Sequence, residues 1–172
     1  MLGFITRRDY RVMQRANNWP APKWVRLWAL LATRLGDGSI WLLLGFGILL
    51  FGGEDRYAAL GSIGLAGVLS VTVFMCLKRM TGRRRPCELE PHCWATLLPP
   101  DRFSFPSGHT MTAFAVSMAA CCFYVDLIPV AVFFAFSIAT SRILLGMHFL
   151  SDVVAGMLIG SGLGYAAFVA FS

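Results

Sequence analysis

Charge is what this chain has least of. Asp, Glu, Lys and Arg together make up 14% of its 172 residues, about half the share of an ordinary soluble domain. Too little polar sequence remains to coat a water-soluble helical globule, so that class is excluded. The shortage is also uneven. Residues 57–77 and 153–172 carry no charge, and 38–53, 110–125 and 127–141 are shorter runs free of it. Crossing a hydrocarbon core takes roughly 20 residues of helix. Two of these runs meet that length outright and three reach it with their polar flanks. Internal repeats and low-complexity tracts are absent, and so is a signal-peptide pattern. The N-terminal stretch meets Arg7 and Arg8 before any uninterrupted apolar region, so no cleavable leader is expected.

What is present is apolar: 57% hydrophobic residues and a mean hydropathy of +0.66. The expectation is an all-α integral membrane bundle, a single domain over 1–172, with about five transmembrane helices. The spans are expected at 38–53, 57–78, 107–125, 127–144 and 149–171. An N-terminal segment, 1–37, precedes them. In it, Arg7, Arg11 and Arg15 recur every four residues and share one helical face. That pattern fits a helix at about 6–16 lying in the interface, and equally an ordinary solvated basic face. An amphipathic stretch at about 22–34 ends at Gly36-Asp37-Gly38, where Asp37 or Ser39 is a candidate N-cap. Gly156, Gly160 and Gly164 form a close-packing face on the last span, and Gly61, Gly64 and Gly67 are expected to do the same on the second. Cys76, Cys121 and Cys122 are expected as small buried residues.

Residues 79–106 form a long, polar, proline-rich loop, and connectors of that size are usually functional. Five spans put this loop, residues 1–37 and the 142–148 corner on one face of the membrane. Of 15 Lys and Arg residues, only Arg56 falls on the other face. The positive-inside rule makes the crowded face cytoplasmic, in a bacterial inner membrane. Cys87 and Cys93 flank His92 in the loop. They pair if the loop faces an oxidising compartment and stay free thiols otherwise.

Three polar clusters meet on that face, each where a span begins or ends: Lys78 with Arg85-Pro86, then Pro106-Ser107-Gly108-His109, then Ser141-Arg142 with His148 and Asp152. Lys78, Arg85 and Arg142 bring three positive charges to helix ends. A multiply charged anion is their natural partner, and the arginine fork suits phosphate oxygens. Lys78 alone also reads as a lysine snorkelling to the interface. Ser107 and Gly108 precede a helix whose free N–H groups favour an anion, although Ser107 also reads as an N-cap. His148 and Asp152 stand four apart, within hydrogen-bonding reach on one helix. A carboxylate on one ring nitrogen leaves the other as nucleophile or base. His109, from another helix, is the separate acid. Two histidines among cations describe phosphoryl transfer through a phosphohistidine.

These residues resemble the type 2 phosphatidic acid phosphatase superfamily, whose pattern is Lys-x6-Arg-Pro, Pro-Ser-Gly-His and Ser-Arg-x5-His-x3-Asp. All eleven fixed positions match, over residues 78–152. The resemblance implies a metal-independent lipid phosphatase without a cofactor. His148 attacks phosphorus, Asp152 orients it, and His109 serves the leaving oxygen and then water. Lys78, Arg85, Ser107, Gly108 and Arg142 hold the phosphate, with Pro86, Pro106 and Ser141 in support. The expected partners are the bilayer and a lipid phosphate such as a polyprenyl diphosphate, phosphatidate or phosphatidylglycerophosphate, and no nucleic acid. The alternatives are a non-catalytic lipid-phosphate carrier and a lipid phosphotransferase.

Overall fold

The computed structural model describes residues 2–90 and 103–172, and among them every regular element is a helix. In chain order these are α1 (Leu2–Asn17), α2 (Lys23–Leu35), α3 (Ser39–Phe51), α4 (Arg56–Thr81), the single turn α5 (Pro86–Leu89), α6 (Gly108–Phe123), α7 (Ile128–Leu144) and α8 (Leu150–Val169). Helices stand at the five expected positions, as α3, α4, α6, α7 and α8. With the short 3-10 turns before them, α4 and α7 are long and apolar enough to cross a membrane, and so is α8. α6 is apolar but only 16 residues long, about 24 Å. It can be short because it starts at the floor of a cleft.

Residue size is sorted for lipid, with small side chains inside and large ones out. The main core holds Ala59, Ala66, Ala115, Ala119, Ala120 and Ala167, whereas Leu42, Phe51, Val68 and Leu158 are exposed. Lipid tails are as apolar as leucine, so helices in a bilayer gain by close approach and not by hiding large residues. α6 is the hub, packed on α8, α4 and α7. Along its seam with α8, a methyl group on Gly156 would lie 2.8 Å from the Ser107 carbonyl oxygen, and one on Gly160 or Gly164 would overlap the carbonyl of Met111 or Ala115. That glycine face packs as expected. On α4 only Gly61 does so, against Phe171, while Gly64 and Gly67 face open space. The cysteine expectation is also corrected. Cys76 is exposed and Cys121 and Cys122 are half-buried, because a thiol facing hydrocarbon needs no shelter. Cys93 and His92 lie outside the described residues.

α2 and α3 together have the length and hydropathy of one span, bent by 61°. Their contacts descend along α7. Val25 and Ala29 pack with Leu145 and Met147, Thr33 meets Arg142, Gly36 lies against Ile138, and Trp41 packs on the Ala113–Ala135–Ile138 cluster. The amphipathic stretch is therefore the upper half of the first crossing and not an extra one. α1 lies at the same end, with Asp9, Met13 and Ala16 buried against the bundle and Arg7, Arg11 and Arg15 exposed.

Candidate active site

α4 ends at Gly82, whose left-handed backbone (φ +59°) turns the chain. Residues 83–85 then run back across the helix ends. Arg84 and Phe103 form an isolated antiparallel bridge. The Ser104 N–H donates to the Arg83 carbonyl (2.7 Å) and its hydroxyl to the Arg84 carbonyl (3.0 Å). At the end of α7, the Arg142 carbonyl accepts the N–H groups of both Met147 and His148 (3.1 Å each). This curl sets His148 beside Arg142. Gly146, at φ +66°, makes the turn possible.

His148 is 2% exposed, and its neighbours fix its tautomer. Nδ1 lies 2.6 Å from the main-chain carbonyl oxygen of Ser104, an acceptor only, so Nδ1 carries the proton. Nε2 lies 3.2 Å from Nη1 of Arg85, a donor only, so Nε2 keeps its lone pair. Burial first, and then the charges of Arg142, Arg85 and Lys78, push the imidazole well below its usual range and hold it neutral. Arg85 is buried and also donates to the Met147 carbonyl (2.9 Å).

A cleft of about 340 Å³ opens on this ring. Lys78, Arg85, Gly108, His109, Arg142 and His148 line it, bringing together six of the expected site residues from three separate clusters. Lys78 stands over the Phe74 ring, 5.2 Å from its centroid, and Arg142 donates to the Thr33 hydroxyl. The other expected residues stand behind the cleft. Ser107 is fully buried, its hydroxyl shared with Thr110 and its N–H given to the Asp152 carbonyl (3.1 Å). Ser141 is also buried and donates to the Ile138 carbonyl (2.7 Å). Pro86 and Pro106 are buried at the two ends of the loop.

Asp152 departs from expectation. His148 precedes α8, whose N-cap is Phe149, so the pair does not share a helix face and Nδ1 lies 3.8 Å from Oδ2. Oδ2 instead accepts the Phe149 N–H (2.8 Å), and Oδ1 accepts Nη1 of Arg83 (2.8 Å). Arg83 reaches further, to the Ser151 hydroxyl and to Oδ2 of Asp9 (2.7 Å each), and its guanidinium stacks on Phe149. Asp37 makes no helix cap. It accepts a hydrogen bond from Nε2 of His109 (2.6 Å). Arg83, Asp9, Ser104 and Asp37 were not singled out as site residues from sequence. A lone acid on a basic helix marks Asp9, and a carboxylate between an amphipathic and an apolar helix marks Asp37. Ser104 meets His148 through its main chain, which leaves no signal in the sequence.

A family model described as the PAP2 superfamily matches residues 57–172. The chain belongs to the PAP2 superfamily. Aquifex aeolicus LpxE superposes with a TM-score of 0.79 at 26% identity, covering 93% of this chain and 94% of that one. The PAP2-type phosphatidylglycerolphosphate phosphatase of Bacillus subtilis superposes at 0.70 and 24% identity, over 95% and 84%, and shares the fold. Decaprenylphosphoryl-5-phosphoribose phosphatase of Mycobacterium tuberculosis is 32% identical over 103 residues, which is 59% of this chain and 55% of that protein. The chain thus spans about half the length of the curated relatives it matches. The PAP2 match begins at α4, so α1 to α3 lie outside it while supplying Asp9, Thr33 and Asp37 to the site's surroundings.

Proposed function

We propose that residues 1–172 act as one catalytic unit, an integral membrane lipid phosphatase that hydrolyses a phosphate or diphosphate head group through a phosphohistidine. The observation that carries this is the unprotonated Nε2 of His148, a ring whose Nδ1–H is held by the Ser104 carbonyl, in a cleft shared with Lys78, Arg85, Arg142 and His109. The lone pair of Nε2 attacks phosphorus, and the bond to the leaving oxygen breaks with its electron pair. His109 gives that oxygen a proton, then takes one from the water that displaces His148. Lys78, Arg85, Arg142 and the N–H end of α6 at Gly108 hold the phosphoryl oxygens, where charge builds in the transition state. Asp152 and Ser107 position this set from behind.

A lipid substrate is supported by what adjoins the cleft. Trp41 lines both the cleft and an apolar cavity of about 320 Å³ beneath it. Leu43, Leu44 and Leu127 continue that cavity into another of about 440 Å³. A head group above and a tail below fit this sequence of spaces. The relatives named above for a decaprenyl sugar phosphate and for phosphatidylglycerol phosphate point to the same substrate class. We place the protein in a bacterial inner membrane with the site on the cytoplasmic face, on the strength of the basic residues, of which only Arg56 among those described falls at the other end.

The test uses purified protein in detergent micelles with EDTA, supplied with phosphatidate or a polyprenyl diphosphate. Inorganic phosphate is released, and His148→Ala lowers the rate by about 10³-fold or more while remaining folded. With p-nitrophenyl phosphate, whose leaving group needs no acid, His109→Ala accumulates acid-labile phosphoprotein. Turnover by folded His148→Ala at the wild-type rate refutes the mechanism.

A further inference from the structure

We infer that Asp37 is the positioning residue for His109. Its carboxylate holds Nε2–H of that ring and so presents the other ring nitrogen, with its proton, to the leaving oxygen. The inference rests on the proposed phosphohistidine reaction and adds to it a carboxylate from outside the three sequence clusters.

The placement comes first. Asp37 sits where the α2–α3 crossing bends by 61°, at the level of Ile138 and about one helical turn deeper than Arg142. An ionisable group at such depth is costly unless partnered, and a broken helix is tolerated in a membrane where it lines a cavity. Gly36, Asp37 and Gly38 all line the catalytic cleft. The turn is built to present this residue. Gly38 holds φ at +140°, which other residues rarely adopt, and a side chain at Gly36 would press on Ile138 at 3.2 Å. The bend needs no carboxylate for itself, since α3 starts at Gly38 without a side-chain cap.

The second observation is the bond. Nε2 of His109 lies 2.6 Å from Oδ1 of Asp37, and the two side chains are 23% and 55% exposed, so the pair is half-open to the cleft. A carboxylate only accepts, so Nε2 carries a proton. The remaining groups facing the ring are Lys78 from α4, Arg85 from the loop, Arg142 from α7 and His148 from the corner. Asp37 is the one carboxylate among the described residues lining the cleft. Cations disfavour a further positive charge, and an adjacent anion favours it. A general acid in this ring therefore gains from a fixed negative partner. In the first half-reaction His109 loses its other proton to the departing oxygen while Asp37 stays ionised and bonded. In the second, the proton from water returns to the same nitrogen.

Asp37→Ala, Asp37→Asn and Asp37→Glu are compared with His109→Ala and His148→Ala in detergent, using dodecyl phosphate and p-nitrophenyl phosphate. An alkoxide needs the acid and nitrophenolate does not. For Asp37→Ala, kcat on dodecyl phosphate falls about 100-fold at unchanged KM, while the burst of nitrophenolate keeps the wild-type rate. Asp37→Asn keeps the shape and loses the charge. It moves the high-pH fall of the kcat profile to lower pH, because a less stabilised imidazolium loses its proton sooner. Asp37→Glu recovers part of the loss. A nitrophenolate burst slowed as much as dodecyl phosphate turnover, a change in KM alone, or an unmoved pH profile in the Asn variant overturns the assignment. If His148→Ala turns over, the phosphohistidine reaction falls and takes this inference with it. If His148→Ala is inactive while the Asp37 variants match wild type, only the inference falls.

Discussion

Replacing Arg83 with alanine tests how the site is held together. Arg83 makes charge-assisted hydrogen bonds to two carboxylates, Asp9 at 2.7 Å and Asp152 at 2.8 Å. Their side chains are 2% and 0% exposed, while Arg83 is 26% exposed. Partial solvation of the guanidinium weakens its own attraction but does nothing for the two buried acids it would leave. Removing one partner of a buried ion pair costs about 3–5 kcal/mol. Asp152 and Asp9 keep bonds to Phe149 N–H and to Ser151 respectively, which places the expected loss towards the lower end, about 3 kcal/mol. That is roughly a hundredfold in the unfolding equilibrium.

The assay is denaturant titration in mixed micelles, read through the fluorescence of the chain's five tryptophans. A double-mutant cycle with Asp9→Ala isolates the pair. Asp9 and Arg83 share one bond and a common neighbour, Ser151, so a coupling of about 1–3 kcal/mol is expected. Additivity within about 0.5 kcal/mol, or an Arg83→Ala variant as stable as wild type, refutes the claim that this bridge ties α1 to α8.

Two further outcomes follow from His148 and its surroundings. Asp152→Asn is expected to lower kcat by about 10–100-fold, the range for a residue that supports a reacting group without touching substrate, because the Ser104 carbonyl still holds Nδ1. A loss of about 10⁴-fold would mean that Asp152 alone sets the tautomer. Stability is expected to fall with acidification. Burial and the neighbouring cations depress the His148 imidazole in the folded state, so the unfolded chain takes up a proton near pH 6.5 that the folded chain refuses. The contribution is full above about pH 6.5 and is lost as pH falls. His148→Gln should flatten that part of a melting-temperature profile measured in detergent, and an unchanged slope contradicts the assignment.

How much was legible in the sequence depends on whether the signal lay in side chains or in the backbone path. The spans are readable because charge-free runs must match bilayer thickness, and the cleft cations because they recur at motif spacings alongside two histidines. The bend at Asp37 reads in the sequence as a helix break or cap, since Gly-Asp-Gly between amphipathic and apolar helices looks the same in either case. Only the descent of α2 and α3 along α7 distinguishes a bent crossing from a surface helix followed by a span. The brace on His148 was misplaced for a similar reason. The spacing of His148 and Asp152 suits a helix, but α8 begins after His148, and a main-chain carbonyl 44 residues away in sequence takes the Nδ1 proton.

Asp152 is better understood as the joint between the three clusters than as the orienter of one ring. Its Oδ1 holds Arg83, two residues before Arg85; its main-chain carbonyl holds the N–H of Ser107, two residues before His109; and its Oδ2 holds the N–H of Phe149, next to His148. Each bond fixes a segment that carries a group lining the cleft, and all three converge on one residue whose side chain has no exposed surface. Phosphoryl transfer asks for groups from different segments to be held at fixed distances around one phosphorus atom, because their contribution is positional and electrostatic. A buried residue that binds two segments through its carboxylate and a third through its main chain meets that demand without touching the substrate. An amide at this position keeps the backbone bond to Ser107 but offers Arg83 no charge. The damage from Asp152→Asn should therefore reach Arg85 first, appearing as weaker retention of vanadate or phosphate along with the lower kcat. Phosphate affinity at the wild-type value in that variant would return Asp152 to the narrower role of serving His148 alone.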